Sequence, residues 1–230
     1  MRIGTIDHNG ITEGSIWKPL MGFFFPIWMG TFFQQFYNTA DTIIVGRFLG
    51  TSALAAVGAT SVIVSLLVGF FTGLASGASV VIAQYFGARD REKVSAGVHT
   101  AILLAVFSGL VFTVLGILTA KVTLRMMNTP QDIMEDAMTY IRVYYMGMIP
   151  LMLYDMGTSI LRAIGDSRRP LYFLIASAIA NILLDLVLVA VIPMGVAGAA
   201  LATVISEILS CCLTLLCLTK AAGEPWQLRI

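Results

Sequence analysis

The residues with the clearest chemical potential are Asn181 and Asp185, which stand inside the almost wholly apolar run 171–192. Four residues apart on a helix, their side chains share one face and lie one turn from each other. A carboxylate in hydrocarbon costs several kcal/mol, so a residue of this kind marks an ion or proton pathway by default. We therefore predict that Asp185 is a functional residue that holds a proton or a cation.

A second polar stripe lies in the first apolar run of the chain. Gln34, Asn38 and Asp41 are separated by four and then three residues, which again defines one helical face. A third stripe, near the end of the chain, includes Thr203 and Glu207 at a spacing of four. Carboxylates accompanied by amide and hydroxyl groups are suited to holding a proton or a small cation.

The amino-acid composition indicates that these polar stripes lie within a membrane. Hydrophobic residues make up 58% and charged residues 12% of the 230 residues, and the mean hydropathy is +0.88, whereas soluble domains carry roughly 25% charged residues. The chain is therefore predicted to be an integral membrane protein. With a net charge of +1 and no basic patch, we expect no nucleic acid partner. We also expect no cofactor and no enzyme activity.

Apolar runs separated by charged and turn-forming residues predict an all-α bundle of six transmembrane helices. Each run is long enough for the roughly 20 apolar residues that cross a bilayer. Residues 1–15 are expected to form a cytoplasmic tail, 16–220 the helical lobe and 221–230 the start of a cytoplasmic linker. Pro26 removes a backbone hydrogen bond and is predicted to be a hinge in the first span. The predicted spans are residues 16–49, 53–86, 94–122, 137–164, 171–192 and 196–218.

The distribution of basic residues predicts the orientation. Six spans place both termini on one side, which is also where most lysines and arginines fall. The positive-inside rule then predicts cytoplasmic termini, in the cytoplasmic (inner) membrane of a bacterium. The opposite side carries Arg47, Lys121 and Arg125. The terminal side carries Arg2, Lys18, Arg89, Arg91, Lys93, Arg162, Arg168, Arg169, Lys220 and Arg229.

This topology allows an estimate of depth. At about 1.5 Å per residue from the nearest outer connection, Asp41, Asp185 and Thr203 all lie roughly 12 to 14 Å below the outer surface. Asn181 lies one turn deeper and Gln34 about two turns below Asp41. We therefore predict that these side chains line a polar cavity in the outer half of the membrane.

Four segments, in order and at consistent spacing, resemble the multidrug and toxic compound extrusion (MATE) transporters, in particular the bacterial and archaeal branch related to the DNA-damage-inducible member. The segments are FFQQFYNTADTIIVGRFLG, QYFGARDREK, LRAIGDSRRP, and ANILLDLVLV followed by GVAGAALATVIS. The resemblance extends from about residue 16 to residue 218. It implies an antiporter, coupled to H⁺ or Na⁺, that exports organic cations and amphiphilic drugs.

Carried over residue by residue, the resemblance implies a binding site for H⁺, or for Na⁺ as a metal ion, in the N-terminal lobe. Further candidates for the cavity wall come from the polar stripes. One departure is Asp155, which stands where the family often has asparagine and adds an acid to the site. The implied cation ligands are Asp41, Asn181, Asp185 and Thr203. The cavity residues are Gln34, Tyr37, Asn38, Tyr140, Asp155 and Glu207.

A second departure is the number of spans, since the family has twelve in two lobes and this chain has six. The chain looks like one lobe of a two-lobe antiporter, and we expect it to need a missing second lobe or a second copy of itself. A fragment, a split gene product and a half-size transporter acting as a homodimer all remain open. Its other partners would be the lipid bilayer and small amphiphilic cations.

The coupling hypothesis is that Asp41 and Asp185 hold a proton whose binding competes with a cationic drug or Na⁺. An alternative is a flippase for lipid-linked precursors within the same superfamily, whose cavity should be rich in arginine for phosphates. Arg142 is the one arginine that falls away from the ends of a predicted span, which favours cationic substrates. A remote alternative is an intramembrane aspartyl protease, suggested by Tyr154-Asp155 and by Asp166 after Ala163-Ile-Gly. That motif has Ala163 in place of glycine, and Asp166 falls in a turn.

Overall fold

The computed structural model describes residues 17–228, so the predicted tail, residues 1–15, lies outside the described part of the chain. Residues 17–228 contain seven α-helices and one π-helical segment, and no strand. The all-α prediction is confirmed. The helices are α1 (Trp17–Phe48), α2 (Gly50–Gly87), α3 (Arg91–Met126), α4 (Met134–Met146), α5 (Met148–Ala163), α6 (Arg168–Asp185) and α7 (Val196–Thr219). The π-helical segment, Leu186–Val191, continues α6 directly.

Four of the described helical segments are long and apolar enough to cross a bilayer: α2, α3, Arg168–Val191 and α7. The first helix, α1, is also long, but its polar stripe lowers its hydropathy. The predicted fourth span, 137–164, is two shorter helices that meet at Gly147. A Cβ at Gly147 would lie 2.8 Å from Val204 Cγ2 of α7, so the break occurs where the chain lies close against that helix.

The apolar core lies around α5, which packs against α2, α3 and α7. Its largest fully buried side chains include Phe71, Leu124, Ile141, Met152 and Ile160. In contrast, α1 packs mainly against α6, and a smaller cluster joins it to the π-helical segment and α7. The structure therefore has a tightly packed side and a side on which α1 forms an open wall.

Glycines let helices approach closely on the packed side. An ideal Cβ at Gly109 of α3 would lie 2.8 Å from Ile149 Cα and 3.2 Å from the Met148 carbonyl oxygen of α5. By contrast, a Cβ at Gly69 or Gly73 of α2 would meet nothing within 4 Å. These open glycines leave one face of α2 free to accept a further helix.

The turns at the charged end of the bundle are held by carboxylates. Asp90 caps α3 by accepting a hydrogen bond from the Lys93 backbone N–H at 3.1 Å, and its other oxygen pairs with Lys93 Nζ at 2.9 Å. The hydrogen bond from the Lys93 side chain lowers the pKa of Asp90 below its ordinary value. Asp166 pairs in the same way with Arg169 at 3.1 Å, just after Gly165 ends α5 at φ +90°.

The described part of the predicted linker folds back on the lobe. The Leu228 backbone N–H donates to the Leu218 carbonyl at 3.1 Å, and Trp226 is only 5% exposed. The Arg169 guanidinium lies over the Trp226 ring at 5.9 Å from its centroid. The segment up to Leu228 is therefore part of the packed bundle.

We predict that Gly109→Ala destabilises the lobe by about 1 to 3 kcal/mol, because the added methyl group overpacks against the backbone of α5. Thermal unfolding of the purified chain in detergent measures the loss. The matched control is Gly69→Ala, which has open space and should be neutral or slightly stabilising because alanine favours helix more than glycine does. Equal melting temperatures for the two variants would contradict the close α3–α5 contact.

Candidate functional site

Two helices that pack together bring Asp41 and Asp185 near each other. Asp41 lies on α1 and Asp185 ends α6, and the two carboxyl groups interact electrostatically. Oδ1 of Asp41 and both carboxyl oxygens of Asp185 are buried and have no hydrogen-bond partner among the described residues. Two carboxylates close together in a medium of low dielectric constant repel each other unless a proton or another cation accompanies them. The arrangement is therefore suited to holding a proton or a small cation.

Asn181 extends this pair by one turn of α6. It is only 1% exposed, and within residues 17–228 neither its Nδ2 nor its Oδ1 has a hydrogen-bond partner. A buried polar atom left unpaired costs about 1 to 3 kcal/mol. Asp185 itself is fully buried. Such a set of unpaired oxygen and amide atoms, gathered on one helix face, is suited to holding a small cation.

Thr203 stands on α7, which packs against α6, and is 9% exposed. Its hydroxyl donates to the Ala199 carbonyl of its own helix at 3.2 Å, which leaves the oxygen lone pairs available as an acceptor. The described residues show no hydrogen bond from Thr203 to either aspartate. The predicted set of four ligands is thus a carboxyl pair, a neighbouring amide, and a hydroxyl on the adjacent helix.

Tyrosines surround the carboxyl pair. Tyr140 on α4 is 7% exposed and interacts electrostatically with both Asp41 and Asp185. Its ring stacks on Tyr144, with centroids 6.3 Å apart. Tyr37 on α1 interacts with Asp41 and with Glu207 of α7. The tyrosines therefore join the pair to the polar stripe of the last helix.

The predicted cavity residues do not all face the same way. Gln34 and Asn38 are exposed on α1, and the Asn38 amide donates to Gln35 Oε1 at 3.5 Å. Tyr37 is partly buried, and Asp155 and Glu207 each have a buried carboxyl oxygen without a partner. Gln34 and Asn38 thus lie on the open wall, whereas the acidic and tyrosine groups lie within the lobe.

Sequence reasoning missed two features of the site. The first is Tyr144, which its spacing of four from Tyr140 could have revealed. The second is the π-helical segment directly after Asp185, where Ile192 N–H donates to the Val187 carbonyl at 2.9 Å. Such π-turns inside helices are frequent at functional sites. An apolar sequence gives no signal for one, and the depth estimate for Asp185, which assumed α-helical rise, does not hold across these residues.

Comparison with known proteins gives a consistent set of relatives. The MatE family model matches residues 26–187. A probable multidrug resistance protein, YoeA of Bacillus subtilis, is 34% identical over 201 residues, which cover 86% of this chain and 43% of that protein. Among solved structures, MATE in the bent conformation matches with a TM-score of 0.88 at 27% identity, over 96% of this chain and 49% of that one. MATE in the straight conformation gives 0.90 at 27% identity, over 99% and 50%.

These relatives are transporters, which confirms that the chain is not an enzyme and removes the aspartyl protease alternative. The chain is a multi-pass membrane protein, and it spans about half the length of the relatives it matches. The MatE match extends over more than half of the chain, and the fold is that of solved MATE structures. This chain therefore belongs to the MatE family and corresponds to one lobe of a MATE transporter.

Proposed function

We propose that this chain is one lobe of an antiporter, coupled to H⁺ or Na⁺, that exports organic cations or amphiphilic drugs. Membership of the MatE family and the name of its relative, a probable multidrug resistance protein, support export of drugs. The observation that carries the coupling proposal is the position of Asp41 and Asp185 on two packed helices, where their buried carboxyl oxygens have no hydrogen-bond partner among the described residues.

Coulomb repulsion between the two carboxyl groups gives a physical basis for the exchange of cations. Two ionised carboxylates that lie close together repel each other strongly where the dielectric constant is low, so a positive charge must accompany them. A proton shared by Asp41 and Asp185 meets this need. A sodium ion or the cationic group of a drug meets it equally well, and it can bind only as the proton leaves. Competition for one pair therefore couples the two fluxes without any covalent chemistry.

The charge of the lobe supports a cationic cargo. Three acidic side chains lie along the polar stripes and a fourth, Asp155, lies on α5, whereas Arg142 is exposed. A cavity for the phosphates of a lipid-linked precursor would need inward-facing arginines, so the flippase alternative has no observation in its favour. The four acids are Asp41, Asp155, Asp185 and Glu207.

The open wall supports a partner lobe. Gln34 and Asn38 are exposed on α1, and α2 has glycines with open space beside them. Transporters built from two repeats hold substrate at the interface between them and rock one against the other. We propose that a second lobe, or a second copy of this chain, covers the open wall. Cytoplasmic termini and the bacterial inner membrane remain part of this proposal, on the basis of the distribution of lysine and arginine.

We predict that Asp41→Asn and Asp185→Asn each abolish driven efflux when the lobe is joined to its partner lobe, because amide groups cannot exchange a proton for a cation. Export of a fluorescent cation from cells measures this, and membrane expression should be unchanged. The control is Asp132→Asn, which alters an exposed acid in the α3–α4 turn. Undiminished efflux by both site variants would end the coupling proposal.

A second prediction concerns Pro26, which is buried within the continuous helix α1. MATE has been solved in bent and straight conformations, and the lobe matches both. We propose that protonation of Asp41 shifts α1 between such shapes. Pro26→Ala should then weaken the response of efflux to pH, measured in proteoliposomes across a range of external pH. Pro193→Ala, in the exposed α6–α7 connection, is the matched control. Wild-type efflux with an unchanged pH response in Pro26→Ala would argue against a hinge.

The third prediction is that the chain of 230 residues alone folds as a helical bundle but does not perform coupled export. One lobe supplies one wall of a cavity and has nothing to rock against. Reconstitution of the purified chain, followed by uptake of a fluorescent cation against an imposed H⁺ or Na⁺ gradient, measures this. Robust coupled transport by this chain would instead support a homodimer of half-size transporters.

A further inference from the structure

A second pair of acidic side chains lies within the lobe, on helices that do not carry the first pair. Asp155 stands on α5 and Glu207 on α7, and these two helices pack together. The two carboxyl groups interact electrostatically. Oδ2 of Asp155 and Oε2 of Glu207 are both buried without a hydrogen-bond partner among the described residues.

The described residues supply no cation that neutralises this second pair. The ion pairs within residues 17–228 are Lys93 with Asp90 and Arg169 with Asp166, both at the ends of helices. Arg162, two turns along α5 from Asp155, is exposed and influences Asp155 only at longer range. Neither carboxyl group has the paired cation that a structural role in the core would require.

Tyr144 is a third polar group near this pair. It is only 5% exposed, and among residues 17–228 its hydroxyl group makes no hydrogen bond. Glu207 is its strongest electrostatic neighbour, and Asp155 is another. Tyr37 on α1 and Tyr154 on α5 also interact electrostatically with Asp155.

The glutamate is also held in place from α4. A Cβ at Gly147 would lie 3.1 Å from Glu207 Oε2 and 2.8 Å from Val204 Cγ2. The backbone at the α4–α5 break thus closes against the carboxyl group on that side. Carboxyl and phenol oxygens, which Asp155, Glu207 and Tyr144 supply, are hard ligands suited to a proton or Na⁺.

We propose that Asp155, Glu207 and Tyr144 form a second cation-binding site, which takes a small monovalent cation, H⁺ or Na⁺, in addition to the one held by Asp41 and Asp185. The lobe would then bind two coupling cations. This inference deepens the proposed function, on which its role in transport rests, but cation binding by the second pair does not depend on the first.

The two sites are close enough to influence one another. Glu207 follows Thr203 by four residues, so it lies about 6 Å further along α7. Tyr37 and Tyr140 interact electrostatically with Glu207 and also with Asp41. A cation in one site therefore changes the field at the other, and occupancy of the two should be coupled.

The test counts cations bound to the purified full chain in detergent. In the proton arm, infrared difference spectra across a pH jump without sodium report protonated carboxyl groups. In the sodium arm, equilibrium binding of radioactive Na⁺ is measured at alkaline pH. The inner-pair variant combines Asp155→Asn with Glu207→Gln, and the outer-pair variant combines Asp41→Asn with Asp185→Asn. The control combines Asp132→Asn with Glu135→Gln, two exposed acids.

We expect one of the two arms, proton or sodium, to give about two bound cations per chain for the wild type and the control. The same arm should give about one for each pair variant. An inner-pair variant that binds as many cations as wild type in both arms would overturn the proposal. If the inner-pair variant lost only the binding of tetraphenylphosphonium, Asp155 and Glu207 would belong to the site for the exported cation. That result would also overturn the proposal. Loss in the inner-pair variant alone would support this site and contradict the proposed role of Asp41 and Asp185.

Folding is checked by size-exclusion chromatography and thermal unfolding. If the inner-pair variant does not fold, the single variants Asp155→Asn and Glu207→Gln are measured in the same two arms. Each removes one ligand of a two-carboxyl site and should weaken cation binding by at least about tenfold, as is usual when a buried charged partner is lost. Wild-type affinity in both single variants would overturn the proposal.

Discussion

The structure depends on the cost of burying carboxyl groups in a bundle that supplies almost no cations to pair with them. Within the described residues the two ion pairs lie at helix ends, whereas the acids of the polar stripes have unpartnered oxygens. Each buried charge without a partner costs several kcal/mol. Under the proposed function, a bound proton or another cation offsets this cost, so the stability of the fold would depend on what the acids bind.

Close apolar packing in the rest of the bundle offsets the free-energy cost of the buried acids. The core around α5 is apolar and closely packed, and glycines bring the backbones of α3 and α5 into contact at Gly109. Burial and close packing of apolar side chains stabilise this core. Acidic side chains lie beside it on α1, α6 and α7 and, at Asp155, on α5. Under the proposed function, groups that bind ions are thus placed next to apolar contacts that hold the lobe together.

Much of this arrangement follows from the sequence, because helical periodicity fixes which residues share a face. The spacing of Asn181 and Asp185, together with the stripe that ends at Asp41, is sufficient to identify both members of the first pair. Periodicity along one helix does not determine contacts between helices, however. The break at Gly147 lies against α7, and the π-helical segment after Asp185 packs in a cluster with α1 and α7. The exposure of Gln34 likewise depends on how α1 rotates against α6, which no local pattern encodes.

The position of the first pair would give its proposed protonation a structural consequence. α1 is attached to the lobe mainly through α6, and Asp41 and Asp185 lie on these two helices. In the proposed mechanism, a shared proton lets the two carboxyl groups form a hydrogen bond between the helices. Without a proton or another cation, the same two groups would repel each other and favour separation of the helices. The contacts of α5 with α2 and α3, in contrast, lie in the apolar core. Loss of the proposed proton would therefore act first on the helix that forms the open wall and carries Pro26.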